Sequence, residues 1–339
     1  MIFMKCSLIT LLCFTALFAN AQRQPDSVGT IKPTRQTPVH DPVMIKEGNT
    51  YYLFCTGFGI SVFSSTDMQN WKKGKPVFAT PPKWAVETIP GYRGHTWAPD
   101  ISFHNGNYYL YYSVSAFGKN TSCIGVAINK TLNPDSPDYK WEDKGKLIQS
   151  IPGRDMWNAI DPNLIIDENN VPWLNFGSFW NGMKMVKLNA DLTSIAQPEE
   201  WYTIAARPRT FGTPDTSAGN AAIEAPFIFK KGEYYYLFVS WDYCCRAEKS
   251  DYKVVVGRSK TVTGPYFDKN AVPMTSNGGS LVVQGDAKEW FGAGHNSVYT
   301  FDGKDYIVYH GYDALDRGRS KLLINQLFWD KEGWPLIKK

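Results

Sequence analysis

The sequence predicts an all-β chain folded as a five-bladed β-propeller, and three observations lead there. One phrase returns five times along the 339 residues, at intervals of roughly 60 residues. Each return joins two strand-like runs through a tight turn. Each is followed by a third run and a fourth, more polar one, which completes the four strands of a blade. A β-sandwich also uses many short strands, but it gives no reason for a five-fold phrase.

Residues 1–21 hold one Lys, an apolar run too short to span a membrane comfortably, and Ala19-Asn20-Ala21 as a small-x-small cleavage site. They read as a secretory signal peptide, leaving residues 22–339 as a single propeller domain in an exported protein, periplasmic or extracellular. Cys13 follows Leu12, which is too large for the usual lipidation site. No other stretch reaches the roughly 20 apolar residues of a membrane helix.

The first repeat is HDPVMIKEGNTYYLFCTG from His40, turning at Glu47 to Asn49, with ISVFSSTD and WKKGKPVF as its outer strands. The second, APDISFHNGNYYLYYSVS from Ala98, turns at Asn105 to Asn107, and the third, DPNLIIDENNVPWLNFGSF from Asp161, at Glu168 to Asn170. The fourth is EAPFIFKKGEYYYLFVSWD from Glu224, turning at Lys231 to Glu233, with KVVVGRSK and GPYFD expected outside it. The fifth, GHNSVYTFDGKDYIVYHGYD from Gly294, turns at Asp302 to Lys304. Gly and Asn at these turns supply the positive φ that tight hairpins require.

Composition excludes several classes. A net charge of +4 comes without a concentrated basic stripe, which argues against nucleic acid. No glycine-rich phosphate loop opens a helix after a strand. Cys55, Cys123, Cys244 and Cys245 match no zinc module and are too few for a disulfide scaffold. Adjacent Cys244 and Cys245 are either two small buried residues or a vicinal disulfide stiffening a loop. Aromatic residues make up 15% of the chain; most are expected to pack sheets, and a few to offer flat faces to a ligand.

Each repeat opens on a polar residue: Asp41, Asp100, Asp161, Glu224 and His295. In a propeller the start of each innermost strand lies at one mouth of the central channel, so these anchors are expected to converge there. Like charges brought close cannot all ionise easily, so Asp41, Asp161 and Glu224 together would raise at least one carboxyl pKa, as a general acid needs. Asp100, enclosed in Trp97-Ala98-Pro99-Asp100, reads better as a structural group, and His95 and His310 likewise.

HDP at 40–42, WAPD at 97–100, NAIDPN at 158–163, GSFWNGMKM at 177–185, IEAPF at 223–227, SWDYCCR at 240–246 and GHNS at 294–297 together resemble the arabinanases of glycoside hydrolase family 43. The resemblance runs from about His40 to Trp334, in order. It implies an endo-acting enzyme that cleaves α-1,5-linked arabinofuranose chains of arabinan with inversion. Asp41 would be the general base, Glu224 the general acid, and Asp161 the group that tunes the acid and orients the sugar. Inversion needs carboxyl groups roughly 6.5–9.5 Å apart, which residues on different blades can supply.

The resemblance further implies substrate contacts from Asp41, Gly118, the backbone of Asn158, Ala159, Ile160 and Asp161, and Ser178, Phe179 and Trp180, with Trp97 and Phe117 offering apolar faces. Trp180 is expected to present a flat surface to a furanose ring. His295 matches the family's channel histidine, associated with one calcium ion held largely by water. The expected partners are arabinan and arabino-oligosaccharides, and the expected state is a monomer. Two other enzymes suit the same propeller, an exo-acting α-L-arabinofuranosidase or a β-xylosidase, if a loop such as residues 206–220 walls off one end of the cleft. A non-catalytic glycan-binding propeller would lack the acid or the base, and this chain has both.

Overall fold

Five antiparallel sheets follow one another along the chain, with one exchange: Gly57–Phe58, between the second and third strands of blade 1, pairs with the head of the blade 2 inner strand. The computed structural model describes residues 27–338, so the expected signal peptide lies outside the described residues. The innermost strands of blades 1 to 5 are Val43–Glu47, His95–His104, Asn163–Ile166, Ile223–Lys231 and Trp290–Phe301. The second strands are Thr50–Cys55, Asn107–Val114, Pro172–Phe176, Tyr234–Trp241 and Lys304–Asp313. All five turns fall where the sequence places them, with Gly48, Asn105, Asn170, Gly232 and Asp302 among the residues at positive φ.

One strand differs from expectation. GPYFD does not form the outer strand of blade 4: Phe267 makes only isolated bridges, and Ser280–Gln284 takes that edge. Pro265 has no N–H to give a ladder, whereas SLVVQ carries a β-branched pair and no proline. Blade 1 gains a fifth strand, Ile31–Pro33, outside Asn70–Lys73.

The core lies between blades. In the second strand of blade 2, Tyr108, Leu110 and Tyr112 pack toward blade 1, while Tyr109 and Tyr111 pack toward blade 3. In blade 4, Tyr235, Leu237 and Val239 face blade 3, and Tyr236 and Phe238 face blade 5. Side chains alternate faces along a strand, so a strand buried on both sides is apolar at every position. That accounts for the unbroken Tyr and Phe runs of each repeat.

Blades 1 and 5 share no strand, and side chains close the ring. Ser297 Oγ donates to the Pro42 carbonyl at 2.9 Å, Met44 N–H to Tyr299 Oη at 3.2 Å, and Lys46 pairs with Asp302 at 2.8 Å. Met44, Leu53 and Trp71 pack there against Phe301, Val308 and Leu322.

Candidate active site

A kink recurs at the head of every inner strand. Asp41, Ala98, Asp161, Ala225 and His295 all have positive φ, between 39° and 58°, and a proline follows in the first four. The left-handed region costs a non-glycine residue roughly 1 kcal/mol or more, so five equal kinks are built features of the fold. In blades 2, 4 and 5 they coincide with bulges in the ladder to the second strand. The kinked N–H is often held by the preceding blade: Ala98 by Thr56 Oγ1, Asp161 by Ser113 Oγ, His295 by Ser240 Oγ, and Asp41 by His310 Nδ1.

This register corrects the set of five anchors. Asp41, Asp161 and His295 occupy the kink itself, Glu224 stands one residue before it, and Asp100 two residues beyond. Side chains two places past the kink tie neighbouring blades: Asp100 accepts Leu164 N–H at 2.8 Å, Asn163 accepts Ile228 N–H at 2.9 Å, and Ser297 reaches Pro42. Asp100 is therefore a structural tie, as its motif suggested, and the mouth holds three of the four carboxyl groups.

Asp41 is buried among imidazoles. Its Oδ1 lies 2.7 Å from His40 Nδ1, 2.9 Å from His295 Nδ1 and 3.8 Å from His310 Nδ1, and Thr56 Oγ1 donates to Oδ2 at 2.5 Å. Burial opposes ionisation of this carboxyl, but its contacts with the imidazoles of His295 and His40 outweigh it and hold Asp41 well below the usual carboxylate range. Burial likewise disfavours the charged form of His295, yet Asp41 and the other carboxylates raise its imidazole to about 9. His310 goes the other way: burial and the neighbouring His40 push it well below its ordinary value.

Asp161 and Glu224 form the opposite side. Asp161 Oδ2 accepts Ala225 N–H at 3.1 Å, next to Glu224 in the chain. Burial drives the Asp161 carboxyl well above its ordinary value; His295 counters this, and the charges of Glu224 and Asp41 add to it. Glu224 Oε1 accepts from the Tyr252 hydroxyl at 2.7 Å and Oε2 from Ser178 Oγ at 2.8 Å. The mouth thus holds one carboxyl pressed toward the ionised form and another toward the protonated form.

The residues expected to contact substrate are spread around this rim. Phe117 is 79% exposed and Trp97 half-buried, its Nε1–H donating to His95 Nδ1 at 2.9 Å. Gly118 is exposed at φ 72°. Asn158, Ala159 and Ile160 are buried, and Asn158 Oδ1 has no hydrogen-bond partner among the described residues. Ser178 touches Glu224, and Phe179 is half-buried. Trp180 departs from expectation: it is 1% exposed, with Nε1–H bonded to the Asp215 carbonyl, so it presents no open face. Its ring instead anchors the irregular segment of residues 206–220.

Several groups at the site escaped sequence reasoning. Thr56, Tyr252 and Tyr312 carry no motif of their own, and His310, read as structural, stacks on His40 with ring centroids 4.0 Å apart. Their common signal is position, since each lies near the mouth end of a second or third strand. Cys244 and Cys245 form a vicinal disulfide.

Two groups bring three metal-type donors together, His40 with Cys244 and Cys245, and His40 with Asp41 and His310. Neither suits an ion, because the sulfurs are joined and His310 Nδ1 already accepts the Asp41 N–H. His295 fits better: Nδ1 faces Asp41, and Nε2 makes no hydrogen bond among the described residues. A carboxylate behind one imidazole nitrogen leaves the other as a metal ligand.

Residues 31–335 match the sequence profile of glycosyl hydrolases family 43. The chain belongs to that family. It is 58% identical over 303 residues to an extracellular exo-α-(1→5)-L-arabinofuranosidase of Cellvibrio japonicus, covering 89% of this chain and 87% of that protein. An extracellular endo-α-(1→5)-L-arabinanase of Bacillus subtilis is 42% identical over 301 residues, with 88% and 87% covered. A solved α-L-arabinanase of Cellvibrio cellulosa in complex with arabinohexaose superposes with a TM-score of 0.88 at 58% identity, covering 89% of this chain and 96% of that one. Family 43 membership agrees with the propeller and with the motifs that carried the resemblance. Among the described residues no helix is long and apolar enough to cross a membrane.

Proposed function

We propose that this chain is an exported hydrolase of α-1,5-linked arabinan that works with inversion, Asp41 as general base and Glu224 as general acid. The observation that carries this reading is the convergence of Asp41, Glu224 and Asp161 from blades 1, 4 and 3 on one mouth, with Asp161 raised by burial beside Glu224 and Asp41 held ionised. Water attacks the anomeric carbon as the glycosidic bond breaks; its proton passes to Asp41, and the proton of Glu224 passes to the departing oxygen. Asp161, raised by burial and tied to the backbone beside Glu224, tunes the acid. Trp97, Phe117, Gly118, Ser178, Phe179 and the backbone of residues 158–161 are the surfaces for the sugar chain.

Replacing Glu224 by Ala tests the assignment. Cleavage of arabinan should fall by about 10²–10⁴-fold, while an aryl arabinofuranoside with an acidic leaving group keeps most of its rate, because that group departs without a proton. Equal losses on both substrates would remove Glu224 from the acid role.

The mode of attack has two readings. Internal cleavage follows from the motif resemblance and from relatives named endo-arabinanases. Release from chain ends is favoured by one observation: residues 206–220 are pinned beside the acid by Arg207 to the Ala222 carbonyl and Asp242 and by Trp180 to Asp215, and are braced internally by Arg209 to the Pro214 and Ser217 carbonyls. The relative with the higher identity carries an exo name.

A calcium ion on the axis belongs to this reading. His295 Nε2 would hold it, with water as the other ligands, and the ion would offset the charge of the surrounding carboxylates.

A further inference from the structure

The hydroxyl of Tyr312 stands where three elements meet. His40 Nε2 lies 2.9 Å from it, His310 Nε2 3.2 Å, and the backbone N–H of Cys245 donates to it at 2.8 Å. Beyond the two imidazoles, both Nδ1 atoms turn to Asp41: His40 Nδ1 meets Oδ1 at 2.7 Å, and His310 Nδ1 accepts the Asp41 N–H at 3.1 Å.

With His40 neutral, one placement of protons satisfies the oxygen and nitrogen contacts, and the longer approaches of Cys245 Sγ, 3.7 Å from His40 Nε2 and 4.0 Å from the phenol oxygen, take no proton in it. A backbone N–H can only donate, so His310 Nδ1 is bare and the His310 proton sits on Nε2, directed at the phenol oxygen. That proton and Cys245 N–H fill both acceptor positions of the phenol. The phenol proton then goes to His40 Nε2 at 2.9 Å, much nearer than Cys245 Sγ at 4.0 Å, which leaves His40 Nδ1–H to donate to Asp41. The bonds close into a cycle from Asp41 through His40, Tyr312 and His310 back to the Asp41 backbone, and each bond polarises the next.

The cycle bears on which oxygen reacts. Oδ1 of Asp41 takes His40 and His295, and Oδ2 takes Thr56. A carboxylate has about four acceptor sites, so the one left is on Oδ2.

We propose that Tyr312 is a positioning residue for the base, and that the vicinal disulfide is its anchor: through His40 and His310 it sets the Asp41 carboxylate so that Oδ2 receives the proton of the attacking water. The proposal rests on Asp41 being the base. Cys245, at φ 65°, aims its N–H at the phenol, and the bond to Cys244 holds the turn in that shape.

Tyr312→Phe removes the hydroxyl and keeps the ring. We expect kcat to fall about tenfold on arabinan and on an aryl arabinofuranoside alike, with KM within about twofold, since the base serves both reactions. Imidazole 15N spectra of the parent should show His310 with its proton on Nε2 and His40 with its proton on Nδ1. In the variant His40 should mix tautomers while His310 keeps Nδ1 bare, a change that a purely structural role would not produce. Cys244→Ser with Cys245→Ser should give a smaller loss of the same kind, and full kcat there would remove the disulfide from the device. Unchanged kcat in Tyr312→Phe, or a proton on His310 Nδ1 in the parent, would overturn the positioning role. An active Asp41→Ala would instead overturn the assignment of the base.

Discussion

Asp41 and Asp100 show how one residue type acquires opposite properties on this scaffold. Both carboxyls are buried, but Asp41 meets imidazoles whereas Asp100 meets backbone N–H groups. Burial raises Asp100 to about 7, with the bond from Leu164 N–H only partly offsetting it. A carboxyl whose folded pKa lies above its unfolded value lends stability that is full below the unfolded pKa, near 4, and is lost as pH rises through about 7. Asn keeps the acceptor for Leu164 and never ionises. Asp100→Asn should therefore melt below the parent or level with it near pH 4, gain on it steadily between about pH 4 and 7, and hold that gain above 7. A melting difference that does not change with pH would show that Asp100 does not titrate in this range. The distinction between these two residues was partly legible in the sequence. WAPD suggested a structural Asp, but the repeat phrase alone placed Asp100 in register with Asp41, because a two-residue offset about a kink leaves no trace in composition.

At the scale of elements, the hairpins were readable and the irregular segments were not. Turn residues and alternating apolar runs are local signals, so all five inner hairpins emerged with their turns. The outer edge of blade 4 did not, since GPYFD and SLVVQ both look like strands and only the tertiary edge chooses between them. Trp180 misled for a similar reason: a Trp in a sugar-cleaving motif suggests a platform, but its ring is buried and its Nε1–H is bonded to the Asp215 carbonyl within residues 206–220. That segment is the element on which the mode of attack turns. Arg207 holds its root through the Ala222 carbonyl, a 2.7 Å ion pair with Asp242, and a stack over Trp241. If the segment closes one end of the cleft, the parent should release short products from linear arabinan while viscosity barely falls. Arg207→Ala should then loosen the wall, so that viscosity falls sooner relative to the appearance of reducing ends. A parent that thins arabinan quickly, with a variant behaving identically, would return the cleft to the open form.

At the scale of the molecule, the site exists only while the ring is closed. Asp41 comes from blade 1, Asp161 from blade 3, Glu224 from blade 4 and His295 from blade 5, and blades 1 and 5 meet without a shared strand. The seam runs beside the channel, where His295 reaches across it to Asp41 at 2.9 Å. Without an ion, the imidazole raised to about 9 carries a proton at neutral pH, so a cation and that proton compete for Nε2. A calcium ion bound there would tie His295 of blade 5 to the carboxylates of blades 3 and 4 and so hold the imidazole in place against Asp41 across the seam. Binding to the closed ring alone stabilises it by mass action, about 2.7 kcal/mol at a hundredfold excess over Kd. For a chain of this size that is a rise in Tm of a few degrees. Chelator should therefore lower the Tm, added calcium should restore it, and His295→Gln should lose the response while still folding. The calcium effect should also weaken as pH falls, because the proton then holds Nε2 more firmly. A Tm indifferent to chelator and calcium at neutral and alkaline pH would show that the imidazole pairs with Asp41 alone, and that protein contacts are enough to close the ring.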